Sequence, residues 1–224
     1  MSFLYLLAML LLAWPCRLFF PMKILGRRRL PKKRLLVISN HRSAGDPLFV
    51  AARFWDRQFR FLAKKELFKN RFVGWIIRSA GTLAVSRGEN DLALMRDVGK
   101  LLNKEKTVLL FPEGTRNKTQ DDFLEMKNGA ALFSLKYGAP IVPMYIAQKQ
   151  RFFRRNYMYI GEPFDFKELE GERLNKETLA KAGEKIAEKF AEVKNKLDEY
   201  LENKRNKNRK KKNKNKEEKL NIEY

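Results

Sequence analysis

Two periods of hydrophobicity alternate along this chain. Leu35-Leu36-Val37-Ile38 is a short continuous apolar run, the length and composition of a strand buried on both faces. The same criterion predicts strands at 35–39, 82–86 (Thr-Leu-Ala-Val-Ser), 107–111 (Thr-Val-Leu-Leu-Phe), 141–146 and 157–160. Between them the period lengthens. Over 91–104, Leu94, Met95, Val98, Leu101 and Leu102 share one helical face, with Asn90 or Asp91 available as a cap. A second helix is expected over 127–137, stopped by Gly138 with Pro140 beyond it. A third, over about 176–202, repeats Leu179, Ile186, Phe190, Val193, Leu197 and Leu201 and reads as a packing helix. Strands alternating with helices predict an α/β fold, a largely parallel central sheet with flanking helices and right-handed crossovers. There is no internal repeat.

The two ends break this alternation. Residues 1–16 carry no charged side chain, and behind them follow Arg17, Lys23, Arg27, Arg28, Arg29, Lys32, Lys33 and Arg34. A secretory signal would put its basic residues before the apolar run. A spanning helix wants about 20 apolar residues, and Pro15 interrupts this one. The pattern predicts two short helices lying in a membrane interface, roughly 2–14 and 15–25, with the basic cluster as an anchor on the cytoplasmic face. A buried core helix over Leu4–Leu12 is the alternative. Beyond about Asn203 the sequence is almost entirely Lys, Arg, Asn and Glu, which predicts a disordered basic tail. The expected division is 1–25 interfacial anchor, 26–170 folded domain, 171–202 amphipathic helix and 203–224 tail.

Charge narrows the partners. A net charge of +22 in 224 residues implies polyanions, either an anionic membrane surface or nucleic acid. Cys16 is the only cysteine, so there is no disulfide framework, no paired CxxC and no Cys/His cluster for a metal.

The chemistry sits just after the predicted strands. In open α/β sheets the ligand site lies at the carboxyl ends of the strands, and three such ends carry unusual residues. The first is Asn40-His41-Arg42-Ser43-Ala44-Gly45-Asp46-Pro47, holding the only histidine of the chain. An imidazole oriented by a carboxylate presents its other nitrogen as a general base. On a continuous helix the five-residue separation from His41 to Asp46 turns the two side chains about 140° apart. Contact therefore needs a turn, which Gly45 and Pro47 favour. Asp46 before Pro47 also suits a helix N-cap. The second end is Phe111-Pro112-Glu113-Gly114-Thr115-Arg116, whose backbone N–H groups and Arg116 fork suit a phosphate, with Glu113 suited to substrate hydroxyls. The third is Arg87, after 82–86; Lys127 in Met126-Lys127-Asn128-Gly129 is a further cation. Ser39 and Ser43 flank His41, but no nucleophile elbow, P-loop or HExxH pattern occurs.

Taken together these blocks resemble the 1-acyl-sn-glycerol-3-phosphate (lysophosphatidic acid) acyltransferase family over about residues 23–164. Asn40-His41 through Asp46 matches its NHxxxxD block, and Phe111 through Arg116 matches FPEGTR in full. Gly81 through Arg87 and Val142-Pro143-Met144-Tyr145-Ile146 resemble the second and fourth blocks, with lesser echoes at Lys65-Glu66-Leu67-Phe68 and Gly161-Glu162-Pro163. Asn117 stands where many members have Ser, and Ala84 and Val85 where bulkier residues are common. The resemblance implies a glycerol-phosphate acyltransferase-like fold and transfer of a fatty acyl group to the 2-hydroxyl of lysophosphatidate. It implies His41 as base, Asp46 as its orienter, and Arg87, Glu113, Gly114, Thr115 and Arg116 as acceptor-binding residues. It implies no metal and no cofactor beyond the acyl donor, a CoA thioester, a carrier-protein thioester or an acyl phosphate. The implied partners are membrane lipid, lysophosphatidate, the donor and acyl carrier protein. Two alternatives stand beside it: another acceptor such as glycerol 3-phosphate, and a membrane-tethered protein that binds nucleic acid through its tail.

Overall fold

The computed structural model describes residues 3–54, 56–85, 92–117 and 126–220. Its strands are β1 (Met22–Gly26), β2 (Leu35–Ser39), β3 (Phe59–Lys64), β4 (Leu83–Val85), β5 (Thr107–Leu110), β6 (Ile141–Ile146) and β7 (Asn156–Ile160). They form one sheet in the order β1-β7-β6-β2-β5-β3-β4. From β6 to β4 all neighbours run parallel; β7 turns back against β6, and β1 runs parallel to β7. The largely parallel α/β sheet read from the alternation is thus the observed architecture.

The fully apolar runs occupy the middle. Every residue of β2, β5 and β6 is buried, as expected of parallel strands covered on both faces. Successive side chains of β2 alternate between two cores: Leu35 and Val37 point to one, Leu36 and Ile38 to the other. The first core is covered by α1 (Phe3–Phe19) and α2 (Asp46–Ala51), the second by α4 (Leu92–Asn103), α5 (Gly129–Tyr137) and α6 (Lys176–Leu220); α3 (Arg71–Ser79) packs beside α1. Gly138 takes the left-handed conformation (φ 58°) that ends α5, as its position after the periodic run predicts.

Three expectations are corrected. The first concerns the N-terminus, where one helix runs from Phe3 to Phe19 with Pro15 inside it, and residues 22–26 form a strand instead of a second helix. Pro15 removes one N–H but leaves the rest of the ladder, and Pro21 disfavours helical angles at Phe20. Tyr5, Met9, Ala13 and Cys16, at helical spacing, bury against the core, whereas Phe3, Leu6, Leu10, Leu11, Trp14 and Leu18 face outward. One face of this helix is core and the opposite face is exposed and apolar. Burial pushes the Tyr5 phenol up to about 12. Among the described residues no helix is long and apolar enough to cross a membrane.

The second correction concerns the tail. Helix α6 does not stop near 202 but continues to Leu220. Its packed half, anchored by Ala182, Ile186, Phe190, Val193 and Leu197, supplies the nucleus, and Lys and Arg propagate a helix readily once nucleation is paid. The third concerns β1 and β3, which sequence periodicity did not mark. Both carry a cation (Lys23, Arg60) among apolar residues and are only partly buried.

Candidate active site

The carboxyl ends of β2 and β5 lie side by side, since Ile38 pairs with Leu110. The NHxxxxD loop and the FPEGTR loop therefore leave the sheet as neighbours. Asn40, fully buried, extends the ladder past β2: its Nδ2–H donates to the Ile146 carbonyl (2.9 Å) and its Oδ1 accepts from the Ile146 N–H (2.8 Å). One amide side chain thus fixes the end of β2 to the end of β6 and sets where His41 begins.

His41 Nδ1 lies 2.9 Å from Asp46 Oδ2. The imidazole is 18% exposed and the carboxylate is completely buried. The Asp46 carboxylate collects donors from two segments, its own loop and the turn after β6. Oδ2 also accepts from the Arg42 and Ser43 N–H groups (both 2.7 Å), and Oδ1 from Gln150 Nε2 (2.7 Å), with Ser43 Oγ at 3.0 Å. Ser43 Oγ also lies 2.6 Å from Gln150 Oε1, so its single hydrogen is shared between two acceptors. These donors fix the position and orientation of the buried carboxylate. With Nδ1 held by a carboxylate, the neutral imidazole carries its proton there and presents Nε2 as the basic nitrogen. The ring is further held by Phe111, stacked at 4.2 Å between centroids and 21° between planes.

Asp46 does not act as the helix cap that its place before Pro47 suggested. It is the first residue of α2, and its side chain turns back to the amides before it. The turn at Gly45 has another cause than the one expected. Gly45 sits at φ −83°, open to any residue, but a Cβ there would lie 2.5 Å from the Phe49 ring.

The FPEGTR loop clasps the main chain of His41 from both sides. Glu113 Oε1 accepts the His41 N–H (2.9 Å), and the Asn117 N–H donates to the His41 carbonyl (2.8 Å). Glu113 is 3% exposed, and the residue expected at substrate hydroxyls contacts the backbone of His41. Gly114, Thr115 and Arg116 form the exposed crest of the loop. Gly114 has φ +63°, strained for any side chain, and a Cβ there would lie 2.9 Å from the Lys127 side chain; the Lys127 main-chain N–H donates to the Pro112 carbonyl (2.9 Å). Lys127, the weakest cation of the sequence reading, is thereby brought beside the crest. Arg87 lies outside the described residues, as do Asn90 and Asp91; the strand before Arg87, β4, ends on the same sheet edge two places from β5.

Periodicity and motifs found His41, Asp46 and the FPEGTR loop, but not Gln150, Asn117 or the anchoring role of Asn40. Asn40 opens the NHxxxxD block directly after a buried strand, which was the available signal for its role, and Asn117 adjoins FPEGTR. Gln150 has no signal, because it reaches Asp46 only through the turn after β6. Among the described residues no group of three or more His, Cys, Asp or Glu side chains gathers as a metal would need.

The family model for Acyltransferase matches residues 22–147, which contain both loops. A 1-acyl-sn-glycerol-3-phosphate acyltransferase of Bacillus subtilis is 30% identical over 186 residues, covering 79% of this chain and 90% of that one. One from Streptococcus pneumoniae is 28% identical over 180 residues; the match covers 76% of this chain but a little under two thirds, 64%, of that longer protein. The crystal structure of the 1-acyl-sn-glycerophosphate acyltransferase PlsC from Thermotoga maritima superposes with a TM-score of 0.60 at 25% identity, over 88% of this chain and 78% of that one. A paired His and Asp on the NHxxxxD loop, clasped by FPEGTR at the carboxyl edge of a parallel sheet, together with a family match over more than half its length, establish that the chain belongs to the Acyltransferase family.

Proposed function

We propose that this acyltransferase moves a fatty acyl group from an activated donor to the 2-hydroxyl of a 1-acyl-sn-glycerol 3-phosphate held at a membrane surface, giving phosphatidate. The observation that carries the reading is the His41–Asp46 pair directly beside the exposed crest Gly114-Thr115-Arg116. His41 Nε2 takes the hydroxyl proton as the oxygen attacks the donor carbonyl, and a C–O bond forms. Collapse of the tetrahedral intermediate breaks the bond to the thiol or phosphate, which leaves with the proton returned by His41. Asp46 remains a carboxylate throughout and balances the transient imidazolium. The crest N–H groups, Arg116, Arg87 and Lys127 bind the acceptor phosphate, and Glu113 serves by holding His41. No cofactor is required beyond the donor. Both acceptor and product are lipids, which accounts for an exposed apolar face on α1 behind a basic cluster. The enzyme works at the cytoplasmic face of the membrane as a peripheral or monotopic protein.

The names of the relatives favour lysophosphatidate over other acceptors. The test is an acceptor panel with the purified full chain: lysophosphatidate, glycerol 3-phosphate and lysophosphatidylcholine, each offered acyl-CoA, acyl carrier protein thioester and acyl phosphate. Lysophosphatidate is expected to exceed the others in kcat/KM by at least about tenfold with one donor. Preference for either alternative acceptor would contradict the reading.

A further inference from the structure

The turn between β6 and β7 does more than return the chain. Its tip is Arg151-Phe152-Phe153-Arg154-Arg155, five consecutive exposed residues, with Phe152 54% and Phe153 66% open to solvent. Phe153 has φ +52°, a left-handed conformation that bulky residues rarely adopt, and strain of this kind persists only where the surroundings impose it. The imposing residue is Asn156, which is buried. Its Oδ1 accepts the Arg151 N–H (2.8 Å), and its Nδ2 donates to the Arg151 and Arg154 carbonyls (3.1 and 2.9 Å). The two exposed rings are thus held out by a built turn. They continue the open face of α1: Phe152 stacks on Phe19 (5.2 Å) and meets Phe20 edge-on (5.2 Å), and the Phe153 N–H donates to the Phe19 carbonyl (2.7 Å).

We propose that this Arg-Phe-Phe-Arg-Arg tip is a second bilayer-docking element, inserting Phe152 and Phe153 among anionic phospholipids while its arginines take the headgroup phosphates. Aromatic rings flanked by cations suit the boundary between headgroups and acyl chains. Charge complementarity selects an anionic bilayer, and continuity with α1 places it on the same plane. The proposal extends the membrane reading of α1 and adds a connection to chemistry. One residue before the tip, Gln150 donates to the Asp46 carboxylate, and Phe20, against Phe152, packs edge-on against Phe49 of α2 (4.9 Å), the helix that begins with Asp46. The tip and the Asp46 carboxylate are thus structural neighbours.

Flotation with phosphatidylglycerol or phosphatidylcholine vesicles separates the tip from α1. Two variants of the full chain are compared with the wild type, Phe152→Ser/Phe153→Ser and Arg151→Gln/Arg154→Gln/Arg155→Gln. Each is expected to bind phosphatidylglycerol vesicles at least about tenfold more weakly. Turnover of a short-chain lysophosphatidate dispersed below its micellar concentration is expected to stay within about twofold of wild type, because no bilayer is involved. Wild-type binding by both variants would overturn the proposal by showing that α1 suffices. Equal loss of dispersed-substrate turnover would overturn it by showing that the tip is only structural. If lysophosphatidate is not turned over by the wild type, the function proposed above fails, and vesicle binding alone still decides the docking proposal.

Discussion

The site is decided residue by residue through hydrogen bonds to two buried carboxylates. Glu113 illustrates how a motif residue changes meaning once its partner is seen. If it supports His41 through its acceptor oxygen, Glu113→Gln keeps an acceptor and loses only charge, whereas Glu113→Ala leaves the His41 N–H unpaired. An orphaned buried donor costs about 1–3 kcal/mol. The Ala variant is therefore expected to lose about a hundredfold in kcat and the Gln variant less than about tenfold, with acceptor KM little changed in both. A KM rise without a kcat loss would return Glu113 to substrate binding. Gln150→Leu is expected to lower kcat about tenfold at unchanged KM, since the Asp46 carboxylate loses a donor from outside its own loop. The contact between His41 and Asp46 was within reach of the sequence, because Gly45-Asp46-Pro47 announces a turn. Gln150 was not: it lies 104 residues from Asp46 and belongs to no motif.

Among the elements, legibility followed burial. β2, β5 and β6 are apolar throughout and their limits were readable to within a residue, whereas β1 and β3 each mix a cation with apolar positions. Their identity comes from partners, β7 for β1 and β5 with β4 for β3, which no local pattern reports. The helix that merged two expected pieces, α1, and the one that outran its expected end, α6, failed for a related reason: Pro15 and a run of cations weaken a helix locally without ending one already nucleated. The element junction with most consequence is the bridge from Asn40 to Ile146. Asn40→Ala orphans the Ile146 N–H and carbonyl in a dry interior, and is expected to cost about 2–4 kcal/mol in denaturant unfolding as well as activity. A loss below about 1 kcal/mol would show that the β2 and β6 ends are held by their flanking strands instead.

On the scale of the whole molecule, apolar and cationic surfaces gather around the edge that carries the site. Tyr157, at the start of β7, is bonded by Lys204 of α6, and Tyr200 by Lys23 of β1 (2.7 Å), so the basic extension of α6 leaves the body near the aromatic tip. Between 203 and 220 it holds ten Lys or Arg against two Glu. Truncation after Asn203 is expected to leave turnover of dispersed acceptor within about twofold and to weaken binding to anionic vesicles, with a reduced dependence on salt. Loss of nucleic-acid binding with no change at vesicles would instead support the tail as a nucleic-acid arm. The proposed role of His41, the only histidine in the chain, as general base is checked by the rate of phosphatidate formation from bilayer-embedded lysophosphatidate by wild type and His41→Ala at equal vesicle occupancy. A base role for His41 predicts diacyl product from the wild type and a fall of at least about a thousandfold in the variant, whose vesicle binding is unchanged. A variant rate within about tenfold of wild type would contradict it.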